Sequence, residues 1–156
     1  MINLIIDEKL VEVGLEAADN EEVIRLLSGK LDGCGYVEDG FAEAVLARER
    51  QYPTGLPTKI PVALCHVEAE FVKQTCMAVA TLKKPVEFRN MGDPQSILDV
   101  EIVFLLTILD PKKQVFYLRK IMDLFKDETL PNLTKAQSKK EVVSILAEKI
   151  NNMEER

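Results

Sequence analysis

Apolar and polar positions alternate at period two from Leu10 to Ala17. This places Val11, Val13 and Leu15 on one side and predicts a strand with one buried face. The period then lengthens. Val23, Leu26, Leu27 and Leu31 recur at helical spacing behind Asp19-Asn20-Glu21-Glu22, whose carboxylates suit the positive end of a helix dipole. Glycines in Asp32-Gly33-Cys34-Gly35 predict the stop. Glu38-Asp39 opens a second helix with Phe41, Ala44, Val45 and Ala47 as its apolar stripe, broken at Tyr52-Pro53-Thr54-Gly55-Leu56-Pro57. Ile60 to Cys65 predicts a short strand, and Val67 to Lys73 one or two helical turns. Strands follow over Thr75 to Leu82 and Pro85 to Phe88, then a turn at Met91-Gly92-Asp93-Pro94. Val100 to Leu109 is the most hydrophobic strand, expected near the middle of the sheet. Gln114 to Phe125 carries Val115, Leu118, Ile121, Met122 and Phe125 at helical spacing, and Glu141 to Ile150 closes the chain as a helix. Strands interleaved with helices predict an α/β fold, its sheet covered on both faces.

The chain has 156 residues, with no internal repeat and no Pro/Gly/Ser linker, which predicts one domain over residues 1–156. Its 20 Lys and Arg against 26 Asp and Glu give a net charge of −6. That balance argues against a nucleic-acid partner and against attraction to an anionic membrane. The longest apolar runs, Ile60 to Cys65 and Ile102 to Leu109, are far too short to span a bilayer. Met1-Ile2-Asn3-Leu4 has no signal-peptide pattern. An odd count of three cysteines without CxxC spacing predicts reduced thiols in a cytoplasmic protein.

Familiar cofactor signatures are missing. There is no P-loop, Gly33-Cys34-Gly35 is not followed by a glycine at Glu38, and no Gly-x-Ser-x-Gly occurs. Scattered Cys34, Cys65 and Cys76 with a single histidine do not make a zinc site. That histidine, His66, ends an apolar strand, where functional groups of α/β folds emerge into a cleft. A neutral imidazole has one unprotonated nitrogen that can attack phosphorus and hold a phosphoryl group. The plainer reading is a histidine bonded to backbone. Cys65 is adjacent, but successive strand residues point to opposite faces, so it reads as a buried, inert thiol. Arg48 and Arg50 complement the end of the second helix, and one guanidinium turned into a cleft would fork onto phosphoryl oxygens. The Thr54 hydroxyl has a turn role or a hydrogen bond to the same oxygens. Glu68 and Glu70 read as a solvated face, or as groups steering the imidazole tautomer. Tyr52, Pro53, Leu56 and Pro57 form a docking patch for another protein, unless the loop folds back on the core.

At these residues the chain resembles the mannitol/fructose-type EIIA domains of the bacterial phosphoenolpyruvate-dependent sugar phosphotransferase system. The resemblance runs from about Leu4 to Ile150. It rests on Arg48-Glu49, on Thr54-Gly55-Leu56, on Ile60-Pro61-Val62-Ala63-Leu64-Cys65 delivering His66, on Lys84-Pro85-Val86-Glu87-Phe88 with Met91-Gly92, and on the strand Val100 to Leu106. Pro53-Thr54-Gly55-Leu56-Pro57-Thr58 and Thr75-Cys76 look most like the galactitol-specific branch. The resemblance implies a single-domain three-layer sandwich, with a mixed β-sheet between helical layers. It implies the EIIA component of a protein-N(pi)-phosphohistidine–sugar phosphotransferase, with no cofactor and no metal. His66 would accept phosphate from the carrier HPr and pass it to a cysteine of EIIB, the partner within a sugar-specific membrane permease. Arg48 matches the family's active-site arginine, and Thr54 its loop threonine. Many members have Pro before and Gly after the active histidine, where this chain has Cys65 and Val67. Many have a second histidine near the position of Gln114, which here is the candidate auxiliary donor. The alternative is an EIIA-like regulator that signals through its phosphorylation state.

Overall fold

The computed structural model describes residues 4–151, so both ends of the expected 1–156 domain lie outside the described residues. Its strands are β1 (Val11–Leu15), β2 (Gly55–Leu56), β3 (Val62–Cys65), β4 (Cys76–Asn90) and β5 (Asp93–Thr107). Its helices are α1 (Asn20–Gly33), α2 (Phe41–Gln51), α3 (Gln114–Asp123), α4 (Thr129–Lys135) and α5 (Lys139–Asn151). β5 runs antiparallel to β4 on one side and parallel to β3 on the other. β1 adds to β4 in parallel and β2 to β3 antiparallel, so the sheet is mixed, with β5 inside it.

Alternation along the central strands builds two cores. Val62, Leu64, Met77, Val79, Phe104 and Leu106 pack toward the side of Tyr117, Ile121, Leu133 and Leu146, which belong to α3, α4 and α5. Ala63, Cys65, Ala78, Ala80, Val103 and Leu105 pack toward Ile24, Leu27, Val45 and Leu46 of α1 and α2. The result is an α/β sandwich of three layers, as expected. Strand β5 is buried on both faces from Ile102 to Leu106, hence its continuous apolar run.

Local chemistry sets the boundaries. Asp19 accepts the Glu22 N–H at 2.9 Å and Glu22 reaches back to the Ala18 N–H at 3.0 Å, capping α1. α1 stops after Gly33, where Gly35 takes φ +74 and the Tyr36 N–H returns to the Leu31 carbonyl.

Several expectations need correction. A bulge between Glu12 and Leu15, with Gly14 at φ +66, breaks the period of β1. Val11 and Val13 therefore pack on the α3–α5 side and Leu15 on the α1–α2 side, not all on one face. On α2, Ala47 is exposed, while Leu46 and Glu49 are buried. The turns expected over Val67 to Lys73 shrink to one 3₁₀ turn, Ala69–Phe71. The two strands expected between Thr75 and Phe88 are one, because β4 continues through a bulge between Thr81 and Val86. α4 was not foreseen; its Pro131 lies in the first turn, where a missing N–H costs no helical bond. On α3, Tyr117 and Ile121 are buried and Phe116 and Leu118 pack partly buried against the core, whereas Val115 is 68% exposed and Met122 37% exposed.

Candidate functional site

β3 and β5 are parallel, so the segments leaving their carboxyl ends emerge at one edge of the sheet. His66 follows β3 directly. The residue is 9% exposed, and its Nδ1 lies 2.9 Å from the Leu64 carbonyl oxygen. A carbonyl only accepts, so Nδ1–H donates and Nε2 keeps its lone pair. Burial pushes the His66 pKa below its ordinary value, the Leu64 bond opposes this, Arg48 lowers it and Glu68 raises it. The ring is therefore neutral near pH 7.

Arg48 lies near the end of α2. Its Nη1 donates to Glu68 Oε1 at 2.9 Å, and its guanidinium carbon stands 5.3 Å from the centre of the Tyr52 ring. Its Nε–H is buried and has no partner among the described residues. Arg50 turns elsewhere, to Glu21 at 2.9 Å. Of the two arginines, Arg48 is the one whose charge reaches the imidazole. Glu68 thus joins the site as the arginine's partner.

Thr54 is buried, and its bonds are turned inward. Its N–H and hydroxyl donate to the two carboxylate oxygens of Glu49, at 2.8 and 2.6 Å, and its Oγ1 lies 3.6 Å from the Cys65 sulfur. The hydroxyl, which the sequence offers either a turn role or a bond to phosphoryl oxygens, is directed at Glu49 in this structure. Burial raises the Glu49 pKa, while the bonds from Thr54 and Cys65 pull it back. Sequence reading missed Glu49 as a buried group. The signal was its spacing, four residues beyond Val45 and eight beyond Phe41, on the buried stripe of α2. Burial, then the charge of Glu49, pushes the Cys65 thiol well above its ordinary pKa, which makes it inert.

Gln114 opens α3 just after the turn that leaves β5, at the same sheet edge as His66. The His66 ring bonds the Leu64 carbonyl rather than Gln114. The expected docking loop is mostly folded back: Pro53, Thr54, Gly55 and Leu56 are buried, and Tyr52 and Pro57 are exposed. Beside it runs an apolar groove of about 640 Å³, with Leu56 and Pro57 on one wall and Val115, Leu118 and Met122 on the other. Among the described residues, no three His, Cys, Asp or Glu side chains are grouped to hold a metal ion. Nor is any described helix long and apolar enough to cross a membrane.

The family model for the phosphoenolpyruvate-dependent sugar phosphotransferase system, EIIA 2, matches residues 4–149. The galactitol-specific EIIA component of Escherichia coli K12 is 27% identical over 134 residues, covering 83% of this chain and 89% of that protein. The transcriptional regulator ManR of Bacillus subtilis is 33% identical over 99 residues, which is 64% of this chain and 14% of the regulator. The chain therefore spans a small part of that relative's length. Among solved structures, the complex of the E. coli mannitol enzyme IIA with phosphorylated enzyme IIB contains a similar fold. It superposes with a TM-score of 0.77 at 24% identity, covering 94% of this chain and 99% of that one.

Proposed function

The chain belongs to the EIIA 2 family of the phosphoenolpyruvate-dependent sugar phosphotransferase system, and from that premise we propose that His66 is its phosphoryl carrier. Nε2 takes phosphate from phospho-HPr and yields it to an EIIB cysteine in the cytoplasm. The observation that carries this reading is the imidazole itself. It is neutral, with Nδ1–H fixed on Leu64 and Nε2 left to react, at a sheet edge within the field of Arg48.

The transfer is charge-balanced. The donor's phosphohistidine, protonated on its second ring nitrogen, loses the phosphoryl group and leaves as neutral imidazole. The Nε2 lone pair of His66 forms the new nitrogen–phosphorus bond, and the ring becomes an imidazolium whose Nδ1–H stays on the Leu64 carbonyl. No proton crosses between the proteins. Onward transfer reverses the bond change, with an EIIB thiolate as nucleophile. In the transition state charge is spread over the three phosphoryl oxygens, and the guanidinium of Arg48, with its unpartnered Nε–H, supplies donors to them. Glu49 and Thr54 hold the loop between α2 and β3 in register. The groove between Pro57 and α3 offers apolar surface to the partner proteins.

A galactitol-type sugar is the substrate we assign, supported by the relative that matches most of both chains. The likeness to ManR favours a second reading, in which the phosphorylation state of His66 regulates another protein. Reconstitution with phosphoenolpyruvate, enzyme I and HPr separates the two. Acid-labile, alkali-stable label on the wild type but not on His66→Ala supports the carrier. Label that never leaves for an EIIB favours the regulator, and no label on the wild type removes both.

A further inference from the structure

Two residues beyond His66, the carboxylate of Glu68 sits on the guanidinium of Arg48, with Oε1 2.9 Å from Nη1. A carboxylate and a phosphoryl group make the same demand on arginine: both present oxygens to the forked N–H donors. The pair is only partly buried, with the Arg48 side chain 28% and the Glu68 side chain 55% exposed. Such bridges are weak, so this one is readily exchanged. The guanidinium is steadied from another side by the Tyr52 ring, and its buried Nε–H is unspent among the described residues. Arg48 and Glu68 also act on the imidazole in opposite senses, so both charges are felt at the ring.

We propose that Glu68 is a positioning residue that competes with the phosphoryl group for Arg48 and so limits how tightly His66 holds phosphate. This inference rests on the reading of His66 as phosphoryl carrier. In the unphosphorylated protein, Glu68 occupies the arginine. When the phosphoryl group arrives, Arg48 must be shared or surrendered, and the carboxylate becomes a like charge beside the new dianion. Both effects raise the free energy of the phosphorylated form. A relay protein needs that property, because phosphate held too firmly is not passed on.

The test is the equilibrium between phospho-HPr and this chain, read by ³¹P NMR or by radiolabel partition for the wild type, Glu68→Gln, Arg48→Ala and the double variant. Glu68 is exposed, so the glutamine variant is expected to fold, and its thermal melt checks this. Glu68→Gln should shift the equilibrium roughly three- to tenfold toward phospho-His66, less at high salt. In the Arg48→Ala background the shift should be clearly smaller, because only the like-charge repulsion remains. An unmoved equilibrium in Glu68→Gln overturns the proposal. So does an equal shift without Arg48, which would make Glu68 merely a neighbouring charge. A wild type that takes no label defeats the carrier reading and this inference together, whereas label on the wild type with no effect of Glu68→Gln defeats the inference alone.

Discussion

Glu49 and Thr54, five residues apart, spend both of Thr54's donors on one carboxylate: the backbone N–H at 2.8 Å and the hydroxyl at 2.6 Å. The pair bridges the end of α2, which carries Arg48, to the loop ahead of β3, which His66 follows. Cys65 lies against the same hydroxyl. The two groups proposed to handle phosphate are thus referenced to one buried hydrogen-bonded unit, although neither belongs to it.

Removing that unit should be costly. Glu49→Leu leaves two buried donors without an acceptor, and each such group costs about 1–3 kcal/mol. The expected loss is about 2–6 kcal/mol, measured by urea denaturation at pH 7. Glu49→Gln keeps one carbonyl acceptor and should lose less. Equal stability of Glu49→Leu and the wild type would mean that the loop is held by other contacts.

His66 gives a pH prediction that one resonance can test, because it is the only histidine in the chain. Its pKa is lowered from 6.5, first by burial. Between the folded value and 6.5 the unfolded chain binds more protons, so stability rises with pH in that window. The contribution is present above 6.5 and is lost as pH falls through the folded value. The imidazole C2–H shift should therefore titrate below pH 6.5. Arg48→Ala should raise the midpoint and Glu68→Gln should lower it. A midpoint at or above 6.5 in the wild type would contradict the burial of the ring.

The parts of this structure that obey a single local rule were readable in the sequence. The α1 cap at Asp19, the stop beyond Gly33 and the buried run of β5 each follow from one period or one cap. The misreadings occurred where two patterns compete. Val115 and Met122 are as apolar as Leu118 and Ile121, so periodicity alone cannot say which residues of α3 face the core. Leu15 changes sides because a bulge at Gly14 adds a residue that a strict alternation does not contain. At the site, the sequence singles out His66, Arg48 and Thr54 as candidates, but it does not show that the donors of Thr54 go to Glu49. Their partners Glu49 and Glu68 were not identified as such, because their roles arise from contacts across 5 and 20 residues.

Gly55 is the tightest backbone approach near the site. A Cβ there would stand 2.5 Å from the carbonyl oxygen of Arg89, and the Gly55 carbonyl accepts the Met91 N–H at 2.7 Å. The Arg89 carbonyl is main chain, so it cannot rotate away. Gly55→Ala must push the β4–β5 hairpin off β2, at a cost of about 1–3 kcal/mol. Urea denaturation reads the loss, and amide shifts of Asn90 and Met91 should move with it. Wild-type stability in this variant would show that the hairpin yields freely.

The apolar stripe that α3 turns away from the core has a direct test. Val115 is 68% exposed, so Val115→Lys removes no core packing and should leave the melting temperature within a few degrees. It does put a charge on the wall of the groove opposite Leu56 and Pro57. If HPr docks there, desolvating that lysine against an apolar partner face should raise the KM for phospho-HPr about tenfold, with much less effect on kcat. Phosphorylation of His66 by phosphoramidate, which requires no protein docking, should proceed at the wild-type rate. The contrast between the two donors separates the surface from the chemistry. An unchanged KM for phospho-HPr places the docking face elsewhere, and equal losses with both donors would mean that the substitution reached His66 itself.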